Sequence, residues 1–349
     1  MSAQQYVPGS MYDEYWRFAA QRQAVYERRL EGQPPPWTDN PVLSNWRFTN
    51  AYRAADRVSQ YLIRNVIYSG SQRTDDVLFR ILLFKWFNRV DTWEYLVDEI
   101  GEPTPASFNV AAAIRLLNQR REHGGRVYSA AYIVPPVPGF DGPKHVGHIA
   151  LSMRMVRSGL ADALSRAGSF AEVFGMLRDW PGVGDFLAYQ LAIDINYSTI
   201  IDFDENDFVA PGPGALDGIS KVWPGAKRRD AADLIRRTCA EQDDQFARLG
   251  LTFGGLFGRP LKLIDCQNLY CEISKYTREA HPSVVGIAGR SRIKQAYAPA
   301  TGGRRPLAEP FFPPKWGLSL PAPRLSDGAW TTDQMLFDVD GSSAELVDA

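Results

Sequence analysis

The sequence predicts a mainly α fold with short strands at most. The first observation is that apolar side chains recur three or four residues apart in several long segments, as they do on the buried face of a helix. The second is that proline and glycine, which end helices, punctuate these segments. The third is a composition of 45% hydrophobic and 23% charged residues over 349 positions, which is enough for one large core or two lobes.

The helices are predicted in order along the chain. The first covers residues 12–30 and ends at the sequence GQPPP, because proline cannot continue a helix. The second covers residues 50–69, where apolar side chains have helical spacing. Further helices are predicted for residues 75–90, 107–123 and 147–167, and for the segment DCQNLYCEISKYTR, in which Cys266 and Cys271 are core residues.

The domain organisation follows from composition. Residues 1–45 form an N-terminal helix and a linker, and residues 46–298 form a helical catalytic unit with a hairpin at residues 177–194. The Pro/Gly stretch 134–143 divides the first helices from the segment that carries this hairpin. Residues 299–349 are rich in Pro, Gly and Arg and then acidic, which predicts a tail that is partly disordered or wraps over the surface.

Charge and cysteine usage exclude several classes of protein. The 39 basic and 40 acidic residues give a net charge of −1, so any DNA contact must use a local patch and backbone amides. Three cysteines and four histidines have no spacing of a disulfide framework or a zinc site, and we expect neither metal nor cofactor. The start of the chain does not resemble a secretory signal, and no stretch has the length of a membrane span. The expectation is a cytoplasmic monomer.

The segment WPGVGDFLAYQLAIDI predicts a tight hairpin that leads into a helix. Pro181 and Gly182 break the preceding helix, and glycine at 182 and 184 tolerates positive φ. The next helix then begins with free N–H groups and the positive end of its dipole, which together bind a phosphate oxygen without reading the base sequence. We therefore predict a DNA phosphate site at Gly182, Val183, Gly184 and Asp185.

Four carboxylates follow this helix within six positions. Asp202, Asp204, Glu205 and Asp207 come directly after the apolar run STII, so at least one of them is expected to point into the space beside the hairpin helix. Neighbouring carboxylates would raise the pKa of such an acid, and amide donors would lower it. The alternative is that these acids cap a helix and line a solvated loop.

The hairpin segment resembles the helix-hairpin-helix element of the DNA glycosylase superfamily. This resemblance implies a two-lobed helical fold with the active cleft between the lobes and a catalytic Asp shortly beyond the hairpin helix. Because DFV at Asp207 resembles the step that enters the next element in that superfamily, Asp207 is the first choice for the catalytic acid, followed by Asp204 and Glu205. The Pro-rich tail lies outside this resemblance.

The later sequence is similar to one particular branch. The segments DFDENDFVAPGPGA and LIDCQNLYCEISKYTR resemble the α-glutamyl/putrescinyl thymine pyrophosphorylases and the helical domain found with 5-hydroxymethyluracil DNA kinases. These proteins serve hypermodified pyrimidines in phage DNA, and the resemblance covers residues 48–278. No Gly-x-x-x-x-Gly-Lys-Ser/Thr motif occurs in the chain, so we do not expect a kinase that acts alone.

Polar residues among aromatic ones often line a cleft, and several candidates for a base or substrate pocket follow from this rule. Their alternatives are a structural ion pair, a solvated face or, for the two glycines of APGPGA, a rigid turn. The candidates are Asn50, Arg53, Arg57, Lys85, Asn88, Gly212, Gly214, Asn268, Glu272 and Lys275. The last three lie three or four positions apart and would share one helix face.

Two classes of enzyme compete, and both act on double-stranded DNA that contains modified pyrimidines. A DNA glycosylase would flip a hydroxymethylated or glycosylated pyrimidine and hydrolyse its N-glycosidic bond, in defence against phages. A transferase would displace pyrophosphate from an activated 5-hydroxymethyluracil with an amine. The hairpin and the trailing Asp favour the glycosylase, and the absence of Lys between Asp185 and Asp194 favours a monofunctional one. A non-catalytic DNA-binding module is the third possibility.

Overall fold

The computed structural model describes residues 6–131, 134–297 and 309–320, and the regular structure of these residues is helical. They contain no β-strand, only two isolated bridges, one between Trp46 and Ala296 and one between Leu256 and Arg259. The mainly α fold is therefore confirmed. None of the helices in these ranges combines the length and the apolar character that a bilayer crossing requires.

Within the described residues the helices follow each other with short connections. They are α1 Met11–Leu30, α2 Pro41–Asn45, α3 Arg57–Tyr61, α4 Thr74–Phe87, α5 Val90–Ile100, α6 Val110–Glu122, α7 Lys144–Arg157, α8 Leu160–Ser165, α9 Phe170–Arg178, α10 Asp185–Asn196, α11 Pro213–Val222, α12 Ala231–Ala240, α13 Gln242–Arg248 and α14 Leu263–Ala280. Residues Leu62–Ile67 extend α3 as a π-helix, and short 3₁₀ turns cover Arg53–Ala55, Arg228–Asp230 and Pro314–Trp316.

Most predicted helices are present with shifted ends. The predicted helix 75–90 is α4, which ends at Phe87 because Asn88 takes the left-handed conformation (φ 48°) and donates its N–H to the Phe84 carbonyl at 2.7 Å. The predicted helix 147–167 is divided into α7 and α8 at Gly159, whose φ is 78°. Asn88, predicted to line a pocket, is therefore the residue that ends α4.

The predicted helix over residues 50–69 is wrong in its first part. The Asn50 N–H donates to the Asp56 carboxylate at 2.6 Å, the Asn50 side chain donates to the Ala55 carbonyl at 2.6 Å, and Asp56 is extended (ψ 145°). These side chains take over backbone hydrogen bonding that a helix would need. Helix α3 therefore begins only at Arg57, and exposed Arg57 does not share a face with buried Arg53.

Two groups of helices make up the core. Helix α4, whose side chains are apolar and buried nearly all round, packs against α5, α7, α8 and α10. Helix α14 packs against α1, α2, α11 and α12. Cys266 is fully buried and Cys271 half-buried in α14, as predicted.

The N-terminal helix belongs to the same core as the later helices. Tyr15 and Trp16 of α1 are fully buried, and the Tyr15 hydroxyl donates to the Cys266 carbonyl of α14 at 3.2 Å. The domain boundaries at residues 45 and 298 stay predictions. Most of the tail 299–349 lies outside the described residues, and its described part, 309–320, packs on the core.

The contact between α11 and α14 is closest at Gly218. A Cβ atom on Gly218 would lie 1.9 Å from the Tyr270 carbonyl oxygen, so the two backbones approach at this point without room for any side chain. We expect Gly218→Ala to lower the free energy of unfolding by about 1–3 kcal/mol through overpacking. The measurement is equilibrium unfolding in urea.

Gly175 in the middle of α9 is the matched control for this prediction. A Cβ atom there would meet no heavy atom within 4 Å, so Gly175→Ala should raise the free energy of unfolding by up to about 1 kcal/mol. Equal effects of the two substitutions would contradict the close approach of α11 and α14.

Candidate nucleic-acid interface

The predicted hairpin is present between α9 and α10. Gly182 has φ +81°, which only glycine adopts readily, and the Val183 N–H closes the turn onto the Trp180 carbonyl at 3.0 Å. Gly184 is the N-cap of α10 with φ −85°, so it does not use the positive φ that glycine would allow. Local geometry thus gives an exposed helix start, as the sequence predicts.

Gly184 and Asp185 both have exposed backbone amides at this helix start. Neither N–H donates to any acceptor within the part of the chain that the structure describes. Val183 was predicted to offer a third free amide, but its N–H is used in the turn and its side chain is buried. The predicted phosphate site therefore keeps the Gly184 and Asp185 amides as donors, together with the positive end of the α10 dipole.

A cleft of about 290 Å³ lies beside this helix start. The Arg178 Nε atom lies 2.5 Å from the Asp185 Oδ1 atom, and both side chains are more than half exposed, so this ion pair is weak and can exchange for a phosphate. The Phe174 and Phe208 rings are 5.0 Å apart. The lining residues are Phe174, Arg178, Asp185, Phe208, Ala210, Pro211, Leu216 and Arg228.

Three of the four loop carboxylates are ion-paired. The shortest nitrogen–oxygen distances are 3.2 Å for Lys315 with Asp202, 2.8 Å for Lys262 with Asp204, and 2.5 Å for Arg259 with Glu205. Burial opposes ionisation of Asp204, but hydrogen bonds from Lys262 and Asn206 outweigh it and lower its pKa. Glu205 is the acid that points inward, and burial raises its pKa.

Asp207 lies on the protein surface. It is exposed, it precedes cleft residue Phe208, and no side chain of the described residues hydrogen-bonds or ion-pairs with its carboxylate. It does not point into the interior, as was expected for the catalytic acid. The catalytic roles predicted for Asp207, Asp204 and Glu205 stay predictions.

A buried ion triad joins α10 to α4. The Asp194 carboxylate, which is fully buried, lies 2.6 Å from the Arg53 Nη2 atom and 2.7 Å from the Lys85 Nζ atom. Arg53 also donates to the Tyr197 hydroxyl at 3.1 Å and to the Gln190 side-chain oxygen. Burial lowers the Lys85 pKa to about 8 although Asp194 opposes the change. Arg53 and Lys85, predicted as pocket residues, thus form the structural ion pair that was the alternative.

A carboxylate of α14 extends the triad. Asp265 accepts the Arg53 backbone N–H at 2.9 Å and the Lys262 backbone N–H at 3.0 Å. Burial, and then the charge of Glu205, raises the Asp265 pKa to about 7. The second Glu205 oxygen is buried without a hydrogen-bond partner. We use the name "charge cluster" for Arg53, Lys85, Asp194, Glu205, Arg259 and Asp265.

The predicted polar face of α14 is present. Asn268 donates to the Asn50 carbonyl at 2.8 Å, Glu272 accepts the Thr49 N–H at 3.0 Å, and the Lys275 Nζ atom lies 2.7 Å from Glu272. The three side chains therefore share one face, and they hold residues 48–50 against α14. Their polar atoms are used in these contacts, so the face is an internal one.

The two glycines of APGPGA allow helices to pack closely. A Cβ atom on Gly212 would lie 2.9 Å from the Phe186 ring of α10, and one on Gly214 would lie 3.1 Å from the Cys271 Sγ atom of α14. Gly212 is the N-cap of α11, and Pro213 is its first residue. The two glycines therefore pack α11 against α10 and α14 and do not line the cleft described above. Their place in a substrate pocket stays a prediction.

Comparison with known proteins identifies the family. Residues 9–286 match the model of the helical domain of 5-hmdU DNA kinase, so the chain belongs to this family. The 5-hmdU DNA kinase of Bacillus phage SP10 is 27% identical over 290 residues, which cover 76% of this chain and 45% of the relative. The chain thus spans less than half the length of that relative. No solved structure matches the chain.

The family corrects the predicted reaction. The resemblance to the helical domain of 5-hydroxymethyluracil DNA kinases is confirmed, whereas the prediction of a DNA glycosylase, a hydrolase, is wrong, because the family and the relative are those of a DNA kinase, a transferase. The hairpin misled the prediction because an amide site for phosphate positions DNA and does not define the reaction. Membership of the glycosylase superfamily stays a prediction.

Removing the Asp194 charge should destabilise the protein strongly. Asp194→Asn leaves Arg53 and Lys85 buried without their counter-charge, and we expect a loss of about 3–5 kcal/mol in the free energy of unfolding. Urea unfolding measures it. Adding Lys85→Met to Asp194→Asn should cost less than the sum of the two single changes.

The matched control is an exposed ion pair. Asp233→Asn removes the partner of Arg236, 3.0 Å away, and should cost no more than about 1 kcal/mol. Equal effects of Asp194→Asn and Asp233→Asn would show that the buried triad does not stabilise the fold.

Asp265 should make stability depend on pH. Its pKa in the folded protein, about 7, lies above the ordinary value of 3.8, so its contribution is complete below about pH 4 and is lost as pH rises through 7. We expect the fall in Tm between pH 5 and pH 8 to be smaller in Asp265→Asn than in the wild type. Burial also raises the Asp56 pKa to about 7. Asp56 is present in both proteins, so its effect on Tm cancels in the comparison. Parallel pH profiles would refute this assignment.

Proposed function

We propose that the chain binds DNA containing 5-hydroxymethyluracil and presents the modified base for phosphorylation of its 5-hydroxymethyl group. The observation that carries the proposal is the exposed start of α10, where the free amides of Gly184 and Asp185 meet a cleft in a chain of the 5-hmdU DNA kinase family. Two amides at a helix start hold one phosphate of any DNA sequence.

The cleft supports the recognition of a base beside that phosphate. Phe174 and Phe208 offer aromatic surface on which a flipped pyrimidine can stack, and Arg178 and Arg228 offer guanidinium groups to its flanking phosphates. The 5-hydroxymethyl group of a paired base lies in the major groove. Extruding the nucleotide would bring this group into the cleft, beside both a protein carboxylate and a phosphoryl donor.

Asp207 is the acid that we propose to face the hydroxymethyl group. It lies beside Phe208, and its carboxylate has no ion pair within the described residues, in contrast to Asp202, Asp204 and Glu205. A carboxylate there can accept the proton that the hydroxyl loses when it attacks a phosphoryl group.

A second candidate function is the transfer reaction in which an amine displaces pyrophosphate from an activated 5-hydroxymethyluracil. Arg178 and Arg228 favour this candidate, since two guanidinium groups at one cleft suit a pyrophosphate leaving group. The two functions differ in the substrate that reacts: the first uses the hydroxymethylated base itself and the second uses its activated form.

A mass-spectrometric experiment separates these functions. Purified protein is incubated either with DNA that carries 5-hydroxymethyluracil or with DNA that carries its pyrophosphorylated form together with an amine. The masses of the nucleosides are then measured. The proposal requires tight binding of hydroxymethylated DNA, and the second candidate requires a new amine adduct from the activated DNA alone. A protein that binds neither DNA better than ordinary duplex would overturn both.

A single substitution tests the phosphate site. Gly184→Asp should fold, because a Cβ atom there meets nothing within 4 Å and Asp is a favourable N-cap, yet its charge repels phosphate. We expect roughly tenfold weaker binding to all DNA sequences alike, measured by fluorescence anisotropy over a salt titration.

Gly184→Ser is the control, because serine is also a favourable N-cap but carries no charge. Its affinity for DNA should stay close to that of the wild type. If Gly184→Asp binds DNA as tightly as Gly184→Ser, the helix start is not the phosphate site.

A further inference from the structure

A second surface beside the cleft presents apolar side chains to solvent. Val285 is 73% exposed and Ile287 is 71% exposed, in the connection that follows α14. Few large hydrophobic side chains of the described residues are exposed to this degree, and two of them are here only two positions apart. We use the name "apolar loop" for residues 284–294.

The apolar loop is held in a fixed backbone conformation. The Ala288 N–H donates to the Asp217 Oδ1 atom at 2.7 Å, and the Ile287 N–H donates to the Ser220 hydroxyl at 3.3 Å. Asp217 is buried, and its other oxygen accepts a hydrogen bond from Ser274. A charge-assisted hydrogen bond that a buried carboxylate accepts is strong, so the loop is anchored on α11 while its apolar side chains remain in water.

The loop lies next to the cleft. Leu216 of α11 lines the cleft, and Ser220, one turn further along the same face, binds the loop. Four residues of helix rise about 6 Å, so the loop and the cleft are neighbours along α11.

The charge of this segment identifies the kind of partner. Residues 282–297 contain Arg290, Arg292 and Lys294, all exposed, and no acidic residue, in a chain with a net charge of −1. Exposed apolar side chains in a segment whose charged residues are all basic are complementary to a nucleic acid. A nucleic acid offers phosphates on its outside and apolar base faces inside.

We propose that the apolar loop inserts Val285 and Ile287 into the base stack of the DNA that the cleft holds, while Arg290, Arg292 and Lys294 pair with its phosphates. This inference rests on the proposed DNA binding and deepens it. Apolar side chains that enter a base step unstack it, and an unstacked step lowers the cost of extruding the neighbouring base. The apolar loop and the cleft thus act on the same stretch of duplex.

The test compares three proteins on duplex DNA with one 5-hydroxymethyluracil next to 2-aminopurine, whose fluorescence rises when it is unstacked. Wild-type protein should raise this fluorescence. The double variant Val285→Ser/Ile287→Ser should abolish the rise and bind about tenfold more weakly, because two apolar side chains no longer leave water. Val7→Ser, at a 78% exposed position in the segment before α1, is the matched control and should behave as the wild type.

The basic residues give an independent measurement. The triple variant Arg290→Gln/Arg292→Gln/Lys294→Gln should reduce the slope of log affinity against log salt by roughly 0.9 for each phosphate that the variant no longer neutralises. Circular dichroism checks that each variant is folded. We expect that it is, because substitutions at exposed positions change stability little.

The outcomes separate the two proposals. If wild-type protein does not bind hydroxymethylated DNA, the proposed function fails and the inference fails with it. If the wild type binds and the Val285→Ser/Ile287→Ser variant gives the same fluorescence and affinity, only the inference fails. Sedimentation of the free proteins completes the test: a wild-type dimer that becomes monomeric in the double variant, with DNA binding unchanged, would assign the loop to self-association instead.

Discussion

The ion triad at Asp194 fixes the arrangement on which the rest of the molecule depends. Its carboxylate is completely buried and is neutralised by Arg53 and Lys85, which come from two other parts of the chain. A buried charge is tolerated only while its partners stay in place, so the triad holds α10 against α4. Asp194 lies two turns and a half beyond Asp185 on the same helix, about 14 Å along its axis, so the exposed helix start is fixed by the same contacts.

The remaining members of the charge cluster connect this arrangement to α14 and to the last described segment. Arg259 pairs with Glu205 and lies 3.9 Å from the centre of the Trp316 ring, while Lys315 donates to the Ile201 carbonyl at 2.6 Å. Residues 309–320 lie outside the range that matches the family, yet they cover the carboxylate loop. Burial raises the Glu205 pKa, and the ion pair with Arg259 opposes this rise without cancelling it.

Sequence predicted the helices well and the buried charges poorly, for a physical reason. Periodic apolar spacing reports which face of a segment is buried, and α1 and α14 follow it. The break at residues 50–56 depends on Asp56 binding the Asn50 N–H, a side-chain competition that periodicity does not report. Arg53 and Lys85 were recognised as polar residues among aromatic ones, but their partner lies far along the chain. The signal for Asp194 was a single acid within the apolar sequence LAIDI, which indicates a buried counter-charge.

The hairpin motif does not predict the reaction, and its geometry explains why. Backbone amides at a helix start bind phosphate whatever chemistry follows, so the same element serves hydrolases, transferases and simple binding modules. Discrimination must come from side chains that touch the base or its substituent, and under the proposed function those side chains are in the cleft and at Asp207. Glu205, Asp204 and Asp202 are engaged in ion pairs. Under the proposed function, the selectivity for a modified pyrimidine therefore depends on few residues: Phe174 and Phe208, which line the cleft, and the exposed Asp207 next to Phe208.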